Sequence, residues 1–157
     1  MLKPAAYKAP SYVIQKLFQL LDVLKSERDK YSQAASTITD RQLRDNISVL
    51  AQENNQYACE LLSQLQILGT DNYDQNVAHI SAAKSPQPLP SEMADTGAQS
   101  TGSILQHCRD SEKRMIGIYR QILNEPFLME DIRRLMRCQL NGIMYAFLRL
   151  KLLSSTM

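Results

Sequence analysis

The 157-residue chain has no tryptophan, only two histidines and three cysteines, and no long apolar run. Polar or charged residues interrupt its first 25 residues every few positions, which argues against a signal-peptide core. No segment approaches the roughly 20 consecutive apolar residues of a membrane span. The cysteines lie far apart, without the close pairing that a zinc site or a redox motif needs. We therefore expect a cytoplasmic protein that is not bound to a membrane.

A strong excess of one charge sign is also lacking. The chain has 18 basic and 16 acidic residues, interspersed along the same segments, and a formal net charge of +2. This balance gives no electrostatic reason to expect nucleic acid or an anionic membrane as a partner. The chain also shows no glycine-rich phosphate loop, no Ser-His-Asp set and no strand pattern.

What the chain does have is four stretches in which apolar residues recur at steps of three and four, the spacing of an amphipathic helix. They predict helices at about 11–37, 40–68, 101–124 and 128–153. Thr39 or Asp40 is a suitable N-cap for the second helix, Gly69 follows its end, and Pro126 ends the third. The length of the chain predicts one domain, residues 1–157.

Residues 69–100 contain three prolines in five positions and little periodic hydrophobicity, so they are predicted to be a connector. Two short turns make two antiparallel hairpins. A connector of this length is expected where the chain must cross a helix of about 25 residues, or roughly 38 Å. The predicted fold is all-α: a ferritin-like antiparallel four-helix bundle with one long crossover between helices 2 and 3.

The helical stripes include four side chains that do not suit a hydrocarbon core, one from each helix. Counting residues from the turns puts them level to within about 3 Å. They are Glu27, Glu53, Glu112 and Gln139. Burying three carboxylates together is unfavourable unless they are neutralised, hydrogen-bonded or bound to a cation. The sequence therefore predicts a polar layer near the middle of the bundle.

One interpretation of the layer is a metal site. Di-iron and di-manganese bundles use a Glu from each of two helices and Glu-x-x-His from each of the other two. Here Glu53 is followed at that spacing by Gln56, and Gln139 by Gly142, so both histidines and one carboxylate are missing. An amide oxygen is a weak ligand for a transition metal, and glycine provides none. The candidate ligands of iron or manganese are Glu27, Glu53, Glu112, Gln56 and Gln139.

The other interpretation is a layer without metal. Tyr31 lies four residues after Glu27, and Tyr57 lies four residues after Glu53, so each phenol is one helical turn from a carboxylate. Both could donate hydrogen bonds across the layer, and the two glutamines would add amide donors. The residue pattern alone leaves both interpretations open.

The hairpin formed by LFQLLDVLKSERDKYSQAA and LAQENNQYACELLSQLQILG resembles the first half of a small bacterial ferritin-like family of uncharacterised proteins related to YciF-type stress proteins. In CRDSEKRMIGIYRQIL, the spacing of Cys108, Glu112 and Tyr119 resembles the third helix of that family. MRCQLNGI similarly resembles its fourth helix, with a glutamine at the position of Gln139. The similarity covers most of residues 12–152. It implies a ferritin-like fold, a homodimer, and a stress- or iron-related role.

The sequence therefore leaves three functions open. The first is a ferritin-like bundle that is non-catalytic or binds metal weakly. The second is a di-metal carboxylate oxidase or peroxidase-like enzyme that uses Glu27, Glu53 and Glu112 as ligands. The third is a helical module that binds another protein.

Overall fold

A computed structural model describes residues 10–68 and 101–155, which form four α-helices and no strand. The helices are α1 (Ser11–Thr37), α2 (Arg41–Ile67), α3 (Thr101–Leu123) and α4 (Glu130–Ser155). The prediction of an all-α protein with four helices is confirmed, and the observed helix ends differ from the predicted ones by at most two residues. The predicted connector, 69–100, lies outside the described residues. No helix in the described ranges is long and apolar enough to cross a membrane.

The helix ends have local causes. Asp40 is the N-cap of α2, and its carboxylate accepts a hydrogen bond from the backbone N–H of Leu43 at 3.2 Å. At the end of α3, the Arg133 guanidinium donates to the carbonyl oxygens of Leu123 and Glu125, at 2.6 and 2.8 Å. The carbonyl of Glu125 also accepts a hydrogen bond from the backbone N–H of Leu128 at 3.3 Å, so the arginine adds to the bonds that stabilise the turn between α3 and α4.

The core consists of two apolar clusters. One contains side chains from the first halves of α1 and α4 and the second halves of α2 and α3, among them Leu17, Leu61 and Tyr119. The other contains side chains from the remaining halves of the same helices, among them Ile47 and Leu105. Between the clusters, α1, α2 and α3 each contribute one buried polar side chain. The apolar core is therefore divided by a polar layer, as the interrupted stripes predict.

Side-chain contacts between helices follow a consistent order. Going forward along α1, Lys16 pairs with Glu125, which follows α3, and Tyr31 then bonds to Glu112 within α3. The contacts of α1 thus run backwards along α3. The same reversal relates α2 to α4, because Arg149 bonds to Glu53 and the earlier residue Gln139 bonds to Glu60.

Candidate functional site

Four polar side chains are buried in the described core: Glu27, Asn54, Glu112 and Gln139. Three of them are members of the predicted layer. Asn54 is buried in place of its neighbour Glu53. Each of the four helices contributes one of these residues, and their partners show how the charges are compensated.

Glu112 of α3 is 3% exposed, and its Oε2 accepts a hydrogen bond from the Tyr31 hydroxyl of α1 at 3.1 Å. Burial raises the pKa of Glu112 from 4.5 to about 8, and the hydrogen bond from Tyr31 acts in the opposite direction. The nearby carboxylates of Glu53 and Glu27 raise this pKa further, while Arg149 lowers it. A pKa of about 8 favours the protonated form of Glu112 at neutral pH.

Glu27 of α1 is equally buried, and its Oε1 accepts a hydrogen bond from Arg114 Nη2 of α3 at 3.2 Å. The ammonium group of Lys30 lies 3.8 Å from the same oxygen. Oε2 of Glu27 has no hydrogen-bond partner within the described part of the chain. Two cations at the rim of the core thus compensate the charge of this carboxylate through one of its oxygens.

Glu53 lies at the edge of the core, not inside it, with 29% of its side chain exposed. Its Oε1 accepts a hydrogen bond from Arg149 Nη2 of α4 at 2.6 Å. The prediction that Glu53 faces inward is wrong by one residue. The buried face of α2 runs through Ala51, Asn54 and Ala58, so Asn54 occupies the buried position. Glu53 still interacts electrostatically with Glu112.

Gln139 belongs to a neighbouring cluster and not to the level of Glu112. Its Oε1 accepts a hydrogen bond from the Tyr119 hydroxyl at 2.7 Å, and its Nε2 donates to Glu60 Oε1 at 3.0 Å and to the Tyr57 carbonyl at 3.2 Å. Along α4, Gln139 lies between Met136 and Ile143, and both belong to the apolar cluster that contains Tyr119. The predicted single layer of four residues is therefore corrected to two adjacent clusters.

Gln56, another candidate ligand, lies on the exposed side of α2, where it donates a hydrogen bond to Glu60 at 3.3 Å. It comes two positions after the buried Asn54, and a rotation of about 200° turns its side chain away from the core. Glu60 therefore joins Gln56 to Gln139. Sequence reasoning missed Glu60, although its spacing of four residues from Gln56 is the signal that could have identified it.

Gly142 occupies the position where a Glu-x-x-His pair would supply a histidine. A Cβ atom added to Gly142 would lie 2.2 Å from the Tyr57 hydroxyl oxygen and 3.3 Å from Cζ of the same ring. The phenol of Tyr57 thus fills the space beside the glycine. Burial raises the pKa of Tyr57 to about 12, so the phenol is uncharged at neutral pH.

The described side chains do not fit a di-metal centre. Within residues 10–68 and 101–155, no group of three or more His, Cys, Asp or Glu side chains is placed to hold a metal ion. One oxygen of each carboxylate accepts a hydrogen bond from Arg114, Arg149 or Tyr31. A metal ion bound to the remaining oxygens would be repelled by the two guanidinium groups.

The cluster also lacks an activated nucleophile. Cys108 is buried near Glu112, and burial raises the pKa of its thiol to about 12. A thiol is a weak nucleophile until it ionises, so Cys108 is unreactive at neutral pH.

Comparison of the chain with protein-family models, curated proteins and solved structures found no match.

Proposed function

We propose that this chain is a non-catalytic helical bundle of ferritin-like connectivity, in which arginine side chains and a proton take the place of metal ions. The proposal is based on one observation: each of two carboxylates accepts a hydrogen bond from an arginine. Glu27 accepts from Arg114 at 3.2 Å, and Glu53 accepts from Arg149 at 2.6 Å. These arginines come from α3 and α4, so the ion pairs join each half of the bundle to the other.

The charges support this proposal. Glu27, Glu53 and Glu112 together would carry three negative charges, and two guanidinium groups compensate two of them. The raised pKa of Glu112 leaves a proton on the third carboxylate at neutral pH. The layer is then close to neutral without a metal cation, which meets the requirement for burying carboxylates.

The connectivity is supported by the order of the contacts. α1 contacts α3 in reverse order, and the turn at residues 38–40 joins α1 to α2 in a hairpin. In such an arrangement α2 and α3 point the same way. This order supports the proposed ferritin-like topology with one long crossover between them.

Metal analysis by mass spectrometry of protein purified without chelators tests the proposal. We expect iron and manganese far below one ion per chain, and no rise in melting temperature when either metal is added, because a ligand that binds the folded state stabilises it. The matched control is the triple variant Glu27→Gln, Glu53→Gln, Glu112→Gln, which should contain as little metal as the wild type. Near-stoichiometric iron or manganese that is lost in the triple variant would instead favour the oxidase.

A further inference from the structure

The outer side of α4 carries a second apolar surface, away from the core. Tyr145, Leu148 and Leu152 are 66%, 56% and 66% exposed and follow one another at steps of three and four, so they form one stripe along the helix. On the opposite side of the same helix, Ile143, Ala146 and Leu150 are buried. The C-terminal half of α4 is thus apolar on two sides, a pattern that is typical of a helix buried on both. We name Tyr145, Leu148 and Leu152 the α4 outer stripe.

The cations beside the α4 outer stripe are held within their own chain. Arg149 bonds to Glu53 at 2.6 Å and lies 5.7 Å from the centre of the Tyr145 ring. Lys151 lies 4.9 Å from the centre of the Phe147 ring. In a second copy of this chain, Arg149 is likewise paired with Glu53 of its own chain. Neither arginine would therefore face the contact as an unpaired charge.

The spacing of the α4 outer stripe makes it complementary to itself. Leu148 lies three residues after Tyr145 and four before Leu152, near the middle of the stripe. In an antiparallel contact about a two-fold axis near Leu148, the two Leu148 side chains meet, and each Tyr145 packs on Leu152 of the other copy. We propose that the α4 outer stripe binds the same stripe of a second copy of this chain.

The exposed area indicates a weak dimer. The stripe and the adjoining Met144, which is 39% exposed, offer roughly 500 Å² on each copy, whereas a stable interface buries about 800 Å² per partner. Association should therefore depend strongly on protein concentration. This proposal shares only the Arg149–Glu53 ion pair with the proposed function, and sedimentation and metal analysis are separate measurements, so the two proposals can fail separately.

Sedimentation velocity over a series of protein concentrations tests the proposal. The wild type should shift from one chain to two as the concentration rises. Leu148→Lys brings two ammonium groups together near the axis, and we expect at least about a tenfold higher concentration to be needed for association. Leu148 is exposed, so the helical circular dichroism signal should not change.

The matched control is Ile67→Lys, which places the same charge on an exposed aliphatic residue at the end of α2. It should associate like the wild type. A wild type that stays monomeric at every concentration overturns the proposal, whether residues 69–100 or another protein cover the stripe. So does a Leu148→Lys variant that associates like the wild type, or an Ile67→Lys variant that is equally impaired.

A disulfide test addresses the two-fold geometry. In a background with Cys59→Ser and Cys138→Ser, which removes both exposed thiols, Leu148→Cys should form a disulfide-linked dimer on mild oxidation. Ile67→Cys in the same background should not. Absence of the Leu148→Cys dimer would overturn the antiparallel arrangement.

Discussion

The Tyr31 hydroxyl of α1 donates a hydrogen bond to Oε2 of Glu112 in α3, over 3.1 Å, and both side chains are 3% exposed. This bond crosses the polar layer between the two apolar clusters. Burial raises the pKa of Tyr31 well above its ordinary value of 10.0, so the phenol keeps its proton and remains a donor. The bond therefore survives whether Glu112 is protonated or ionised.

Tyr31→Phe should lower the free energy of unfolding by about 1–2 kcal/mol, because it leaves a buried carboxyl group without its donor. It should also raise the pKa of Glu112, since this hydrogen bond holds that pKa down. Urea unfolding measures the first effect. Tyr145→Phe, which removes a hydroxyl from an exposed ring, is the control and should change little. Equal effects from the two variants would show that the Tyr31 bond contributes no stability.

Glu112→Gln should remove a pH dependence of stability. The folded-state pKa of Glu112 is raised from 4.5 to about 8, so the folded state binds more protons than the unfolded state between these values. Stability from this group is complete below pH 4.5 and is lost as pH rises towards 8, at about 1.4 kcal/mol per pH unit. Unfolding measured from pH 5 to 9 should show wild type and variant close together at the acid end, with the variant more stable at the alkaline end. Parallel curves would contradict the raised pKa.

Arg114→Met should destabilise the protein by about 1–2 kcal/mol, because Glu27 then loses its guanidinium while it stays buried. The value is at the low end because Arg114 itself is 58% exposed and Lys30 remains nearby. In a Glu27→Gln background the same change should have a much smaller effect. Equal effects in both backgrounds, measured by chemical unfolding, would mean that the two residues do not interact.

Gly142→Ala should destabilise the wild type although alanine favours a helix over glycine by about 1 kcal/mol. The added methyl group would lie 2.2 Å from the Tyr57 hydroxyl, so the ring has to move. In a Tyr57→Phe background the hydroxyl is gone, and the substitution should become neutral or stabilising. Thermal unfolding of the four proteins provides the comparison. If Gly142→Ala stabilises the wild type, Tyr57 does not fill this space.

The helices and much of the layer could be predicted because periodicity records burial directly. Glu27, Glu112 and Gln139 lie on their apolar stripes and are buried. On α2 the spacing of the larger apolar side chains predicts a stripe through Tyr57, whereas the core contains the small Ala58 and the buried Asn54. The sequence therefore predicts the buried polar residue one position too early, at Glu53.

The partners of the carboxylates could not be predicted in the same way. Arg114 and Arg149 are long side chains at the rim of the core, and each pairs with a residue far away in the sequence. Periodicity identifies the buried face but not which flanking cation reaches into it. Counting residues from a turn also predicts the wrong place for Gln139, which lies between Met136 and Ile143 of the first apolar cluster.

The central claim, that a proton and two arginines balance the three carboxylates, is tested most directly by carbon-13 NMR of the glutamate carboxyl groups in metal-free protein. Glu112→Gln identifies the resonance of Glu112 by its disappearance. We predict that this carboxyl titrates with a pKa near 8, as its burial requires. A Glu112 that titrates near the ordinary value of 4.5 and shifts when manganese or iron(II) is added would contradict the account and indicate a metal site.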